Sequence, residues 1–155
     1  MNQLVPSPDR SNPAGADDIS PMMRQYLAMK ERCGDAILFF RCGDFYEMFM
    51  DDAVKASELL DIALTRKSAG KGQTVPLAGI PYHAAQNYIY RLTRLGHRVA
   101  VCEQMEQPQK GKKIIHRELI RTISPGTIID SDVIDGKEND CRAALFDGGL
   151  AGWGL

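Results

Sequence analysis

The run Ala36-Ile-Leu-Phe-Phe-Arg-Cys42, interrupted by Gly43-Asp44 and resumed as Phe45-Tyr-Glu-Met-Phe-Met50, constrains this chain more than any other feature. Both halves have strand composition and Gly-Asp supplies a turn or bend, so the stretch predicts two consecutive strands. Its apolar heart, Ala36 to Phe40, is the longest tight apolar run in the chain and is far too short to cross a bilayer. Short strands need helices to cover them. Ser20-Pro21 is an N-cap and first-turn pair, followed at helical spacing by Met22, Met23, Tyr26, Leu27 and Met29 or Lys30 until Gly34 ends the run. Asp51-Asp52 caps a second helix through Leu60, with its acids at the positive end of the dipole. Ala84 to Leu95 is a third, ended by Gly96.

Ile62 to Thr65, Val75 to Ile80, Val99 to Glu103 and Ile114 to Ile123 read as further strands. The glycines and cations of Arg66 to Gln73 predict a mobile, exposed loop, and Gln104 to Lys113 a polar connection. Strands and helices interleave without a regular βαβ rhythm, which predicts an α+β domain with a mixed β-sheet flanked by helices. A chain of 155 residues can bury such a core without a disulfide or metal staple. Residues 1–18, dominated by proline, serine, aspartate and glycine, read as a disordered tail with no apolar stretch to serve as a signal peptide. After Pro125-Gly126 the chain turns acidic and loop-like. Cys141 to Phe146 and Leu150 to Leu155 then read as a strand pair around Asp147-Gly-Gly149, and the sequence stops inside an apolar strand, as a piece of something longer would.

The net charge of −1 conceals an asymmetry. Residues 1–65 carry −5, residues 66–121 carry +8 and residues 122–155 carry −4, so a cationic middle between acidic flanks points to a polyanion such as nucleic acid. Cys33, Cys42, Cys102 and Cys141 stand too far apart for zinc and read as small buried hydrophobes in a reducing, cytoplasmic compartment. His83, His97 and His116 are scattered singly, as surface or turn residues are. No Gly-x-x-x-x-Gly-Lys-Ser/Thr, Gly-x-Ser-x-Gly, His-Glu-x-x-His or Gly-x-Gly-x-x-Gly occurs, which excludes the corresponding nucleotide, hydrolase and zinc chemistries from this stretch. Arg91, Arg94, His97 and Arg98 fit equally a helix C-terminal dipole and a DNA contact.

Alternation along Phe45 to Phe49 places Phe45, Glu47 and Phe49 on one face and Tyr46 and Met48 on the other. A glutamate between two phenylalanines is costly if that face is buried, and the phenylalanines are unexplained apolar surface if it is exposed. By pattern alone Phe45 reads as core, with Glu47 turned to solvent at the sheet edge. Asp44 and Glu47 leave open a small metal-dependent nuclease, and the basic middle leaves open a free-standing RNA-binding domain.

Four motifs in order, Gly43-Asp-Phe-Tyr-Glu-Met-Phe49, Ala78-Gly-Ile-Pro-Tyr-His-Ala84, Val101-Cys-Glu-Gln104 and Ser124-Pro-Gly-Thr127, resemble the N-terminal mismatch-recognition domain of the bacterial MutS family. The resemblance covers about residues 20–128. It implies a DNA-binding domain over 19–128, and a linker and the opening of a ribonuclease-H-like connector domain over 129–155. Cys42 departs from the methionine frequent in relatives. The resemblance further implies that Phe45 wedges into the minor groove and stacks on a mispaired base, which Glu47 hydrogen-bonds. Arg66, Lys67 and Lys71 would hold the DNA backbone, with Leu77 a weaker groove contact. Tyr46, Met48 and Phe49 would pack the domain, and Gly79 to His83 would form a rigid turn. For this stretch it implies mismatched duplex DNA as partner and neither catalysis nor a cofactor. ATP and magnesium, a second MutS subunit and MutL belong to parts of the family's chain further on.

Overall fold

The computed structural model describes residues 19–107 and 114–126, and the backbone of a short antiparallel pair, Phe146–Asp147 with Trp153–Gly154. The expected tail over 1–18, the acidic stretch 128–140, Cys141 and most of the connection 104–113 lie outside the described residues.

The first helix, α1 (Pro21–Cys33), begins as the sequence predicts. The Ser20 hydroxyl accepts from the Met23 amide at 3.2 Å, Pro21 takes the first turn, and Gly34 follows the helix at φ 60°. Strands β1 (Ile37–Cys42) and β2 (Phe45–Phe49) pair antiparallel about the Gly43-Asp44 turn. The second helix, α2 (Met50–Leu60), starts one residue before its expected cap. Phe49 holds the N-cap position and its side chain cannot accept a hydrogen bond, so Asp51 and Asp52 fall inside the first turn. Asp52 is 4% exposed. One oxygen takes the Lys30 ammonium at 2.8 Å, and the other accepts from the Leu38 amide at 3.0 Å and the Tyr26 hydroxyl at 3.2 Å. Asp52 therefore ties α1, β1 and α2 together rather than capping a helix, the hydrogen-bonded condition under which a buried carboxylate is tolerated.

The predicted mobile loop is a β-hairpin. Strands β3 (Thr65–Gly70) and β4 (Gln73–Pro81) pair antiparallel around Lys71-Gly72, with Gly72 at φ 76°. The polar composition hid a strand because one small residue decides its place: Ala69 is buried, and its carbonyl accepts from the Ser20 amide ahead of α1. A 3₁₀ turn at Tyr82–Ala84 leads into α3 (Ala85–Arg94), after which β5 (Val99–Gln104) and β6 (Arg117–Ile123) complete the sheet. Strand β6 starts three residues later than its expected Ile114. Gly79 to Pro81, expected in a turn, are the end of β4.

The six-stranded sheet runs β3-β4-β2-β1-β5-β6, with β1 and β5 parallel and the other neighbours antiparallel. It is mixed, as an α+β fold without βαβ rhythm requires. One face packs Ile37, Phe39, Tyr46, Met48 and Val101 against α2 and α3. The other packs Leu38, Phe40, Phe49 and Cys102 against Met23 and Tyr26 of α1. β1 and β5 are buried on both faces and read as continuous apolar runs.

Candidate nucleic-acid interface

Alternation in β2 holds: Tyr46 and Met48 lie in the α2–α3 core, while Phe45, Glu47 and Phe49 turn toward the α1 face. That second face changes character along its length. Phe49 sits beneath α1, 1% exposed, with its ring 4.8 Å edge-on from Tyr26. Four residues back toward the rim, Phe45 is 49% exposed. The pattern-only reading of Phe45 as core is therefore corrected. Phe45 occupies the strand's first position, paired with Cys42 of β1 and Pro81 of β4, where the sheet ends.

Glu47 is neither free in solvent nor unpaired. Its side chain is 17% exposed, and one oxygen takes the Lys67 ammonium at 2.5 Å. Gly79 stands opposite Glu47 on β4. Burial, followed by the charge of nearby Glu47, pushes the Cys42 thiol up to about 12. Cys42 is only half-buried, unlike Cys33 and Cys102, which are buried as the sequence predicts. Phe45, Glu47, Cys42 and Lys67 make one patch: an exposed ring beside a countered carboxylate.

The other expected contacts divide. By strand alternation Arg66 and Lys67 leave opposite faces of β3, Lys67 toward Glu47 and Arg66 toward Thr74, whose hydroxyl accepts from its Nε at 3.1 Å. Lys71 stands in the hairpin turn. Leu77, between Thr65 and Phe49, is half-buried against the α1-side core. Among the described residues the cations of the middle do not form one stripe. Arg117 is 5% exposed, stacked at 4.7 Å on Phe40 and donating to the Arg41 carbonyl; Arg98 pairs with Asp35 at 2.8 Å, and Arg121 donates to Gln86. Counting charge along the chain could not separate a buried structural arginine from a surface one.

Sequence reading missed a cluster behind the Phe45 turn. The Arg41 guanidinium lies 3.7 Å over the Tyr82 ring and 3.7 Å from the Glu103 carboxylate, to which the Tyr46 hydroxyl also donates. The only early signal was position, since all four residues fall inside the four family motifs or close beside them. Among the described residues no three His, Cys, Asp or Glu side chains come together as a metal site.

Fold and rim define a class: an α+β domain that presents, from one strand at the end of a mixed sheet, an exposed aromatic and a carboxylate. A family model described as MutS domain I matches residues 20–132. The DNA mismatch repair protein MutS of Bacillus cytotoxicus is 51% identical over 126 residues, covering 81% of this chain and 14% of that protein. MutS of Bacillus thuringiensis (strain Al Hakam) and of Bacillus cereus (strain B4264) match with the same identity and coverage. The chain belongs to the MutS family and carries its domain I. It spans about 14% of the length of these relatives.

Proposed function

We propose that this domain tests duplex DNA for mispaired or unpaired bases as the first step of mismatch repair. The observation that carries the reading is Phe45, a large aromatic left half exposed at a strand's start while its partner on the same face, Phe49, is buried. Phe45 inserts from the minor groove and stacks on the mispaired base, and Glu47, beside it on the same face, hydrogen-bonds that base. Wedging costs a few kcal/mol of unstacking, and a mismatch has already lost part of that stacking and pairing energy, so deformability supplies the discrimination. Arg66, Lys67 and Lys71 contact phosphates on either side of the hairpin, giving affinity without sequence preference. Leu77, half-buried, adds at most a marginal groove contact.

The chain has no P-loop sequence, so ATP and magnesium, like the second MutS subunit and MutL, act through other parts of the family's chain. The reading is tested in a full-length relative carrying residues 20–126 of this chain as its domain I. Binding is measured by competition among a heteroduplex with one unpaired base, the matched duplex and RNA. Preference for the heteroduplex, abolished by Phe45→Ala with matched-duplex binding retained, is the expected result. Equal binding of matched and mismatched DNA by the parent protein would overturn it, as would preference for RNA.

A further inference from the structure

The wedge stands on a two-residue turn, and three of that turn's backbone groups are held by side chains or amides from three other places in the fold. The Gly43 carbonyl accepts from Arg41 Nε at 2.5 Å, the Gly43 amide donates to Gln104 Oε1 at 3.1 Å, and the Asp44 carbonyl accepts from the Tyr82 amide at 2.9 Å. Gly43 sits at φ 59°, a conformation that glycine adopts without strain. Arg41 is the hub. Besides holding Gly43 it stacks on Tyr82 and faces Glu103, and it is only 18% exposed. Register places it opposite Tyr46, on the α2–α3 face, whereas Cys42 and Phe45 turn to the other. Its guanidinium is therefore committed behind the turn and directed away from the face on which the Phe45 ring is offered.

We propose that Arg41 is the positioning residue for the Phe45 wedge, acting with Gln104 and Tyr82 to fix the Gly43-Asp44 turn as a rigid base. The inference rests on the reading of Phe45 as the wedge. A ring that must force apart stacked bases transmits strain only as well as its backbone resists displacement, and order established before binding spares the complex that entropy cost. Arg suits the post because a planar guanidinium can stack and donate at once, which a lysine ammonium cannot.

The test uses the same full-length protein and four variants, Arg41→Leu, Arg41→Lys, Gln104→Ala and Phe45→Ala, with the Arg41→Leu/Phe45→Ala pair. Expected is a roughly tenfold fall in heteroduplex preference for Arg41→Leu, with matched-duplex affinity and its salt slope unchanged. Arg41→Lys behaves alike, and in the Phe45→Ala background the Arg41 replacement has no further effect on preference. Gln104→Ala, which removes one acceptor from a half-buried residue and leaves the core intact, lowers preference in the same direction and speeds amide exchange at Gly43. This variant keeps the test decisive if Arg41→Leu lowers thermal stability. A loss shared by both duplexes with a shallower salt slope would make Arg41 a phosphate contact and overturn the inference. So would a loss of heteroduplex affinity on Arg41→Leu that persists undiminished in the Phe45→Ala background. If Phe45→Ala removes preference while Arg41 and Gln104 variants are silent, this inference fails alone; if Phe45→Ala is itself silent, the reading beneath it fails.

Discussion

Phe45 and Phe49 are the same residue type on the same face of one strand, four positions apart, and they should respond to truncation in opposite ways. Phe49 is 1% exposed against Tyr26, so Phe49→Ala should cost roughly 3–5 kcal/mol of folding free energy. Phe45 is 49% exposed, and its truncation should cost less than about 1.5 kcal/mol while removing the stacking surface. Urea unfolding of the two variants reads this contrast directly, and a Phe45→Ala loss as large as that of Phe49→Ala would return Phe45 to the core. Glu47→Gln should raise affinity for matched DNA, because the substitution frees Lys67 from its partner at 2.5 Å and removes a carboxylate that repels phosphates. Matched-duplex titrations at fixed salt measure this, and unchanged or weakened binding would count against Glu47 facing the duplex.

Two elements show how locally unremarkable residues set the frame. At the start of α2, Asp52→Ala should cost at least about 2 kcal/mol, since it takes the acceptor from the buried Leu38 amide and leaves the Lys30 ammonium and the Tyr26 hydroxyl with only the Ala36 and Phe49 carbonyls. Had Asp52 been an ordinary helix cap the loss would be nearer 1 kcal/mol, and chemical denaturation separates the two values. The hairpin of β3 and β4 carries the expected backbone contacts on both of its faces. Replacing Arg66 and Lys67 together should weaken matched and mismatched duplexes alike and flatten the salt slope by about one unit for each phosphate left without its cation. A slope that does not move in either duplex would take both residues out of the interface.

For the whole molecule, the groups with raised pKa values set a limit on the alkaline side. Burial foremost holds the Cys42 thiol and the Tyr46 hydroxyl up to about 12 and the Cys102 thiol up to about 11, above the ordinary 9 for a thiol and 10 for a phenol. A folded state that binds these protons more tightly than the unfolded chain keeps the full benefit below the unfolded values. That benefit is lost as pH rises from about 9 through 11 and 12. The urea midpoint contributed by these groups should therefore be level from about pH 7 to 8.5 and fall above about pH 9, with Cys102→Ala softening the fall. A midpoint that stays level to about pH 11 would contradict this.

The sequence by itself determined the elements whose signals are local. Ser20-Pro21 and Gly34 delimit α1, period-two alternation assigns the faces of β2, and the unbroken apolar runs of β1 and β5 mark strands buried on both sides. The four ordered motifs carried the family. Tertiary structure alone decided the rest, because burial is a property of what lies across the sheet and leaves no trace in spacing. It made a strand of Thr65–Gly70 by setting Ala69 beneath the approach to α1, and turned Asp52 from a cap into a buried junction. It placed Arg117 in the core and Arg41 behind the Gly43-Asp44 turn. It left Phe45 uncovered where pattern put it in the core, since the packing that buries Phe49 does not extend to the strand's first residue.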